Sequence, residues 1–221
     1  YQELAQTCKH ITLVFDKGNN SEEAFDTLAA SPFHLVGSLV PSQHADLLAV
    51  PRRRFRALPN PRLDGVEIYR TVKKVFGRPH TVVVTFNQNL LDGQMQGLTA
   101  NLNKARGKLR ELQLQLRRWR EGKVKGGKRP ALAGVQNQVR AICSAQHLKS
   151  ILKAEVQEVR CGLELTFSTD QSALDRLCRV QLGKTILFTD NAEWSDEEIV
   201  LAYRSQYHIE DAFKQMKNPH F

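Results

Sequence analysis

Hydrophobic positions along the chain follow two rhythms, one of strands and one of long helices. From His10 to Asp16 (HITLVFD), Ile11, Leu13, Val14 and Phe15 make a strand-length apolar run that ends in an acid. KGNN then turns the chain. Asn20, with Glu23 three residues later, forms a capping box for a helix over SEEAFDTLAAS. A second strand is predicted over 33–40 (FHLVGSLV), so the opening reads as a β–turn–α–β unit of an α/β sheet. Residues 41–63 are irregular, proline-rich and basic. GVEIYRTVKKVFG and HTVVVTFNQN predict two further strands, joined by Gly77, Arg78 and Pro79.

The rhythm then changes. Met95, Leu98, Leu102, Ala105, Leu109, Leu112, Leu116 and Trp119 recur in alternating steps of three and four, the seam of one long helix. Gly93, Gly97 and Gly107 weaken it. EGKVKGGKRP interrupts it, and Leu132, Val135, Val139 and Ile142 resume the same steps. A helical hairpin with a basic loop at its tip is therefore predicted, and the short loop favours packing within the chain over a dimeric coiled coil. GLELTFSTD and KTILFTDN predict strands on either side of a short helix, SALDRLCR. The last helix lies in WSDEEIVLAYRSQYHIEDAFKQMK. Ser195 and Glu198 form its capping box, the first-turn acids suit its dipole, and Trp194 is placed to staple against Ile199.

Composition narrows the class. With 221 residues, 41% of them hydrophobic and 25% charged, the chain can bury the core of one large domain or of a domain with an insertion. The net charge of +9, from 32 Lys and Arg against 23 Asp and Glu, favours a polyanionic partner, with nucleic acid ahead of an anionic membrane. No apolar run reaches membrane-spanning length and no signal peptide is visible, so no membrane partner is expected. Cys8, Cys143, Cys161 and Cys178 show no CxxC or zinc-like spacing and read as reduced thiols of a cytoplasmic protein. The chain opens on Tyr1 inside a polar helical pattern and stops at NPHF, which suggests an internal piece of a longer protein or a partial reading frame. Two basic clusters, PRRRFR and KVKGGKR, read either as solvated loops or as holders of backbone phosphates.

Candidate chemistry gathers at two acids. In YRSQYHIEDAFKQMK the residues Tyr203, Gln206, Glu210 and Lys217 share one helical face, beside an apolar stripe of Ala202, Ile209, Phe213 and Met216. Asp16 ends a buried strand. Acids are seldom set against a core unless they are paired or hold a metal ion. Hard divalent cations take carboxylate oxygens, and two such ions about 4 Å apart serve phosphodiester chemistry. Taken one at a time, Asp16 reads more simply as a turn or N-cap acid, and Glu210 as the surface partner of Lys214.

The final helix resembles the signature of DDE insertion-sequence transposases, Y–x2–R–x3–E–x6–K. Tyr203, Glu210 and Lys217 hold three of its positions, Gln206 stands where the family has Arg, and Arg204 follows the Tyr. The blocks LVFDKGNNSEEAF and FHLVGSLVPSQHADLL resemble the surroundings of the family's second Asp. The resemblance implies an RNase H-like α/β core interrupted by a large α+β insertion that contains the helical hairpin. Core segments at 1–45 and 186–221 would flank an insertion at 46–185. It implies cleavage of transposon ends and their joining to target DNA, with two Mg²⁺ (or Mn²⁺) ions held by Asp, Asp and Glu. Asp16 would be the second Asp and Glu210 the Glu, while Tyr203, Arg204, Gln206, Lys214 and Lys217 would contact DNA. A homodimer on two DNA ends, in the bacterial cytoplasm with the nucleoid, follows from the same likeness. The first Asp would lie upstream of Tyr1, so this chain alone is expected not to cleave DNA. Two other readings compete: a non-enzymatic nucleic-acid-binding protein with a basic helical hairpin, and a structural coiled-coil module.

Overall fold

Eight strands and six helices order the residues that the computed structural model describes, 11–15, 25–27 and 30–206. In chain order the strands are β1 Thr12–Phe15, β2 His34–Leu39, β3 Arg56–Ala57, β4 Val66–Val75, β5 Arg78–Asn87, β6 Leu152–Val159, β7 Gly162–Thr169 and β8 Lys184–Thr189. The helices are α1 Ala45–Leu48, α2 Gln88–Arg120, α3 Leu132–Ile142, α4 Leu148–Ile151, α5 Gln171–Val180 and α6 Asp196–Arg204. Two compact units result, residues 1–90 with 183–221, and residues 91–182. The protein is thus mixed α/β, with a mixed sheet and one long helix.

The first unit is built on a six-stranded sheet of order β1-β2-β8-β5-β4-β3. β1 and β2 are parallel, Thr12 opposite His34, and the remaining neighbours are antiparallel. Val82, Val83 and Val84 of β5 are buried in succession, as suits a central strand covered on both faces. On one face Val36, Leu63, Ile68, Val83 and Leu187 form the core on which Ile199 and Val200 of α6 rest. On the other, the Phe188 ring lies 5.4 Å from that of Phe25 and 5.7 Å from that of Phe76, centre to centre. The β4–β5 connection is tighter than Gly77-Arg78-Pro79. Phe76 and Gly77 alone make the turn, at φ 48 and 74, and Arg78 and Pro79 already pair with Val75 and Lys74. Positive φ at both central residues matches the twist of a two-residue hairpin.

The boundaries expected at 45/46 and 185/186 therefore differ from the observed units, which divide after Leu90 and after Leu182. The reason is pairing. β5 takes β8 as its neighbour over Thr81–Phe86, and β4 and β3 follow it into the first sheet. Periodicity reports a strand's two faces but not its partner.

The second unit grows around α2. Leu98, Leu102, Ala105, Leu109, Leu112 and Leu116 are all buried. The seam is covered by α3 and also by the β6–β7 hairpin, since Val135 and Val139 share its core with Leu152, Leu163 and Leu165. Gln113 donates to the Leu165 carbonyl at 2.8 Å, and Arg120 pairs with Glu164 at 2.6 Å, which ties the helix to β7. β6 and α4 are not among the predicted elements, and the strands GLELTFSTD and KTILFTDN enter different sheets. Among the described residues no helix is long and apolar enough to cross a membrane.

Candidate functional site

The start of α6 is locked from several sides. The Ser195 hydroxyl accepts from the Glu198 amide at 3.2 Å, and the Glu198 carboxylate accepts from the Ser195 amide at 2.8 Å, completing the capping box. The Ser195 amide first, and then the Ser195 hydroxyl, which donates to the same carboxylate at 2.8 Å, hold the Glu198 carboxyl below its usual range. Trp194 packs on the core that contains Ile199, as a staple should. Asp196 is buried and accepts from Arg70 at 3.1 Å and from Arg56. Arg70 also donates to the carbonyls of Trp194 and Ala192, each at 2.7 Å, and Asn60 donates to Glu197 at 3.0 Å. Side chains of β3, β4 and the loop between them thus clamp the first turn of α6. This clamp is invisible in the sequence, where Asp196 reads only as a first-turn acid complementing the dipole.

Beyond the clamp, α6 lies against β1, β2 and β8. β1 ends at Phe15, immediately before Asp16. Of the residues singled out from the sequence, Asp16, Glu210, Lys214 and Lys217 lie outside the described residues, as do Ile209, Phe213 and Met216. Tyr203 and Arg204 occupy the last turn of α6. Tyr203 is half-buried and packs with Ala202 against the core of Val36, Leu187 and Ile199. Its position four residues after Ile199 explains this, since i and i+4 share a helical face. Tyr203 and Arg204 line a cleft together with Thr85, Asn87, Thr185 and Val200. The Arg204 guanidinium reaches the Arg62 carbonyl at 3.4 Å. Gln206 is half-buried just past the Ser205 cap.

Among the described residues, no three His, Cys, Asp or Glu side chains converge as a metal site would require. The two basic clusters differ in how their cations are used. In residues 51–56 Arg52 grips Glu67 with two bonds, of 2.5 and 3.0 Å, and its guanidinium sits 3.3 Å from the centre of the Phe86 ring. Arg54 lies 4.8 Å over Tyr69, and Arg56 is held by Asp196. This cluster is largely spent on internal contacts. Next to it, Lys184 is buried with its ammonium donating to the Leu48 carbonyl, and burial pushes its pKa down, helped by the nearby Arg52. The loop at the hairpin tip is different, with several cations facing solvent.

Compared with protein-family models, with curated proteins and with solved structures, the chain finds no match.

Proposed function

We propose that this chain is the part of a DDE insertion-sequence transposase that runs from the second Asp to the Glu of the catalytic domain, with an RNase H-like core. The observation that supports it is the packing of α6 on β1 and β2. The strand that leads into Asp16 and the helix that runs toward Glu210 are neighbours, although some 180 residues separate them in the chain. In this reading the Asp16 and Glu210 carboxylates would hold divalent ions, Mg²⁺ or Mn²⁺, as hard oxygen donors do. Such ions supply charge neutralisation at the phosphoryl group being transferred. Lys214 and Lys217 contribute point charges toward backbone phosphates, and Tyr203, Arg204 and Gln206 orient the strand. Gln206 offers one neutral amide where Arg would give a two-pronged grip, so the hold on the transposon end is weaker at this position. The proposed assembly is a homodimer on two DNA ends.

The deciding experiment is cleavage of a labelled duplex bearing an element end, in Mg²⁺, by a chain extended upstream to include the remaining acid. Glu210→Gln should remove strand cleavage, by roughly 10³-fold or more, while DNA affinity stays within a factor of about two. Cleavage by the variant at the parental rate would end the proposal. Non-enzymatic nucleic-acid binding is the second reading, and the charge distribution favours it. Under that reading neither protein cuts DNA and both bind it.

A further inference from the structure

The charge of the chain is not spread over both units. Residues 91–182 hold seventeen Lys and Arg against eight Asp and Glu, which is the whole net charge of +9, and the other residues hold fifteen of each. Within 91–182, eight of the seventeen cations lie at the hairpin tip, seven of them between Arg117 and Arg129 and the eighth at Arg160. The last turn of α2 meets the loop that follows, where the Lys123 amide donates to the Arg118 carbonyl at 3.0 Å. The loop in turn meets the β6–β7 turn, where Arg129 donates to the Cys161 carbonyl at 2.9 Å. Gly126 and Gly127, at φ 101 and 91, bend the loop back so that Gly127 abuts the Trp119 ring. Three sequence segments are thus pinned into one basic surface before any ligand arrives. Glu121 draws Lys123 at 2.7 Å and Arg117 at 2.8 Å, and these two hold its carboxyl down at about 2. Arg118, Lys125, Lys128 and Arg160 are exposed and have no acid partner among the described residues.

We propose that this tip is a docking surface for the phosphate backbone of nucleic acid, indifferent to base sequence. A preformed surface with an excess of cations releases counterions when phosphates replace them, which is the source of sequence-independent affinity. A membrane fits less well, because interfacial binding needs apolar side chains to insert. Within residues 91–182 the exposed large hydrophobic residue among those described is Leu114, one helical turn before Arg118, and a single leucine does not make an inserting face. A protein partner would call for several aromatic anchors, and Trp119, half-buried beside Gly127, is the one aromatic side chain between Arg117 and Pro130. The proposal stands whether or not the chain cuts DNA.

The test is fluorescence anisotropy of the full chain on a random-sequence 20-base-pair duplex, in EDTA, across a salt series. EDTA removes any contribution from a metal site. A variant carrying Arg118→Gln, Lys125→Gln, Lys128→Gln and Arg160→Gln should bind at least roughly tenfold more weakly, with a log–log salt slope shallower by about three. A second variant confined to the loop, Lys125→Gln with Lys128→Gln, guards against a folding defect and should lose about half of that slope. Lys74→Gln in the other unit should shift affinity by less than about twofold. Equal affinity and slope in the parent and both tip variants would overturn the proposal. So would a loss from Lys74→Gln as large as that from the tip, or binding to vesicles containing phosphatidylserine without binding to the duplex.

Discussion

Gly37 shows how closely one position can be specified by its neighbours. A Cβ there would stand 2.6 Å from the Phe188 ring, which is fully buried and hemmed in by Phe25, Phe76 and His80. Gly37→Ala should therefore destabilise the protein by about 1–3 kcal/mol, visible as a lower midpoint in chemical denaturation. An unchanged midpoint would mean that the Phe188 ring can move aside. The sequence shows a glycine inside a strand pattern but not the ring above it. Asp196 carries the same lesson. Its place in the first turn of α6 is legible, whereas its pairing with Arg56 and Arg70 needed β3 and β4 to reach it. The arginines of PRRRFR were open to two readings as a string of letters. Glu67, Phe86, Tyr69 and Asp196 settle them as mostly internal contacts.

Among the elements, α2 was the most legible, because an apolar step of three and four sustained from Met95 to Trp119 has no strand interpretation. Its surface and seam should respond in opposite directions. Gly97 is exposed and a Cβ there meets nothing within 4 Å, so Gly97→Ala should stabilise by about 0.5–1 kcal/mol. Leu109 is fully buried in the core shared with the β6–β7 hairpin, and Leu109→Ala should cost about 2–5 kcal/mol. Thermal melts of both variants check the pair, and a stabilised Leu109→Ala would mean that the seam is not packed as described. A coiled-coil module would keep this seam for a second chain, whereas here it is buried within the unit. β6 was not predicted although Leu152, Ala154 and Val156 alternate with Lys153, Glu155 and Gln157, the period of a half-buried strand. Its strand character depends on pairing with β7.

For the molecule as a whole, the acid side of the stability curve follows from two histidines and four carboxyls. Burial, helped by Lys73, lowers His44, and burial lowers His147. Hydrogen bonds from Lys73 lower Asp46, and Lys153 and the Ala173 amide lower Asp170. Lys123 and Arg117 bring Glu121 to about 2, and Ser195 lowers Glu198. Each folded pKa lies below its unfolded value, so each carboxyl's contribution is complete above the ordinary carboxylate range and is lost as pH falls through it. The melting temperature should begin to fall as pH drops below about 6.5, where the unfolded chain protonates His44 and His147 more readily, and should fall further from about 5 toward pH 2. The fall below about 5 should be gentler in about 1 M salt, because the carboxyls are mostly exposed and their attractions are screened. A curve that stays flat down to about pH 5 would mean that neither histidine is held neutral by burial. The same breadth of view reveals the charge partition, which neither total charge nor any one basic loop discloses.

Sequence was sufficient for what depends on neighbours a few residues apart. The seam of α2, the capping box at Ser195, the strand before Asp16 and the excess of cations all follow from local spacing and composition. Partners distant in the chain were decided in three dimensions. These are the antiparallel join of β5 to β8, the cover of the α2 seam by β6 and β7, the clamp on Asp196, and the meeting of the hairpin tip with the β6–β7 turn. The physical reason is that side-chain periodicity records which face of an element is buried, while strand pairing and ion pairing depend on long-range closure that leaves no periodic trace.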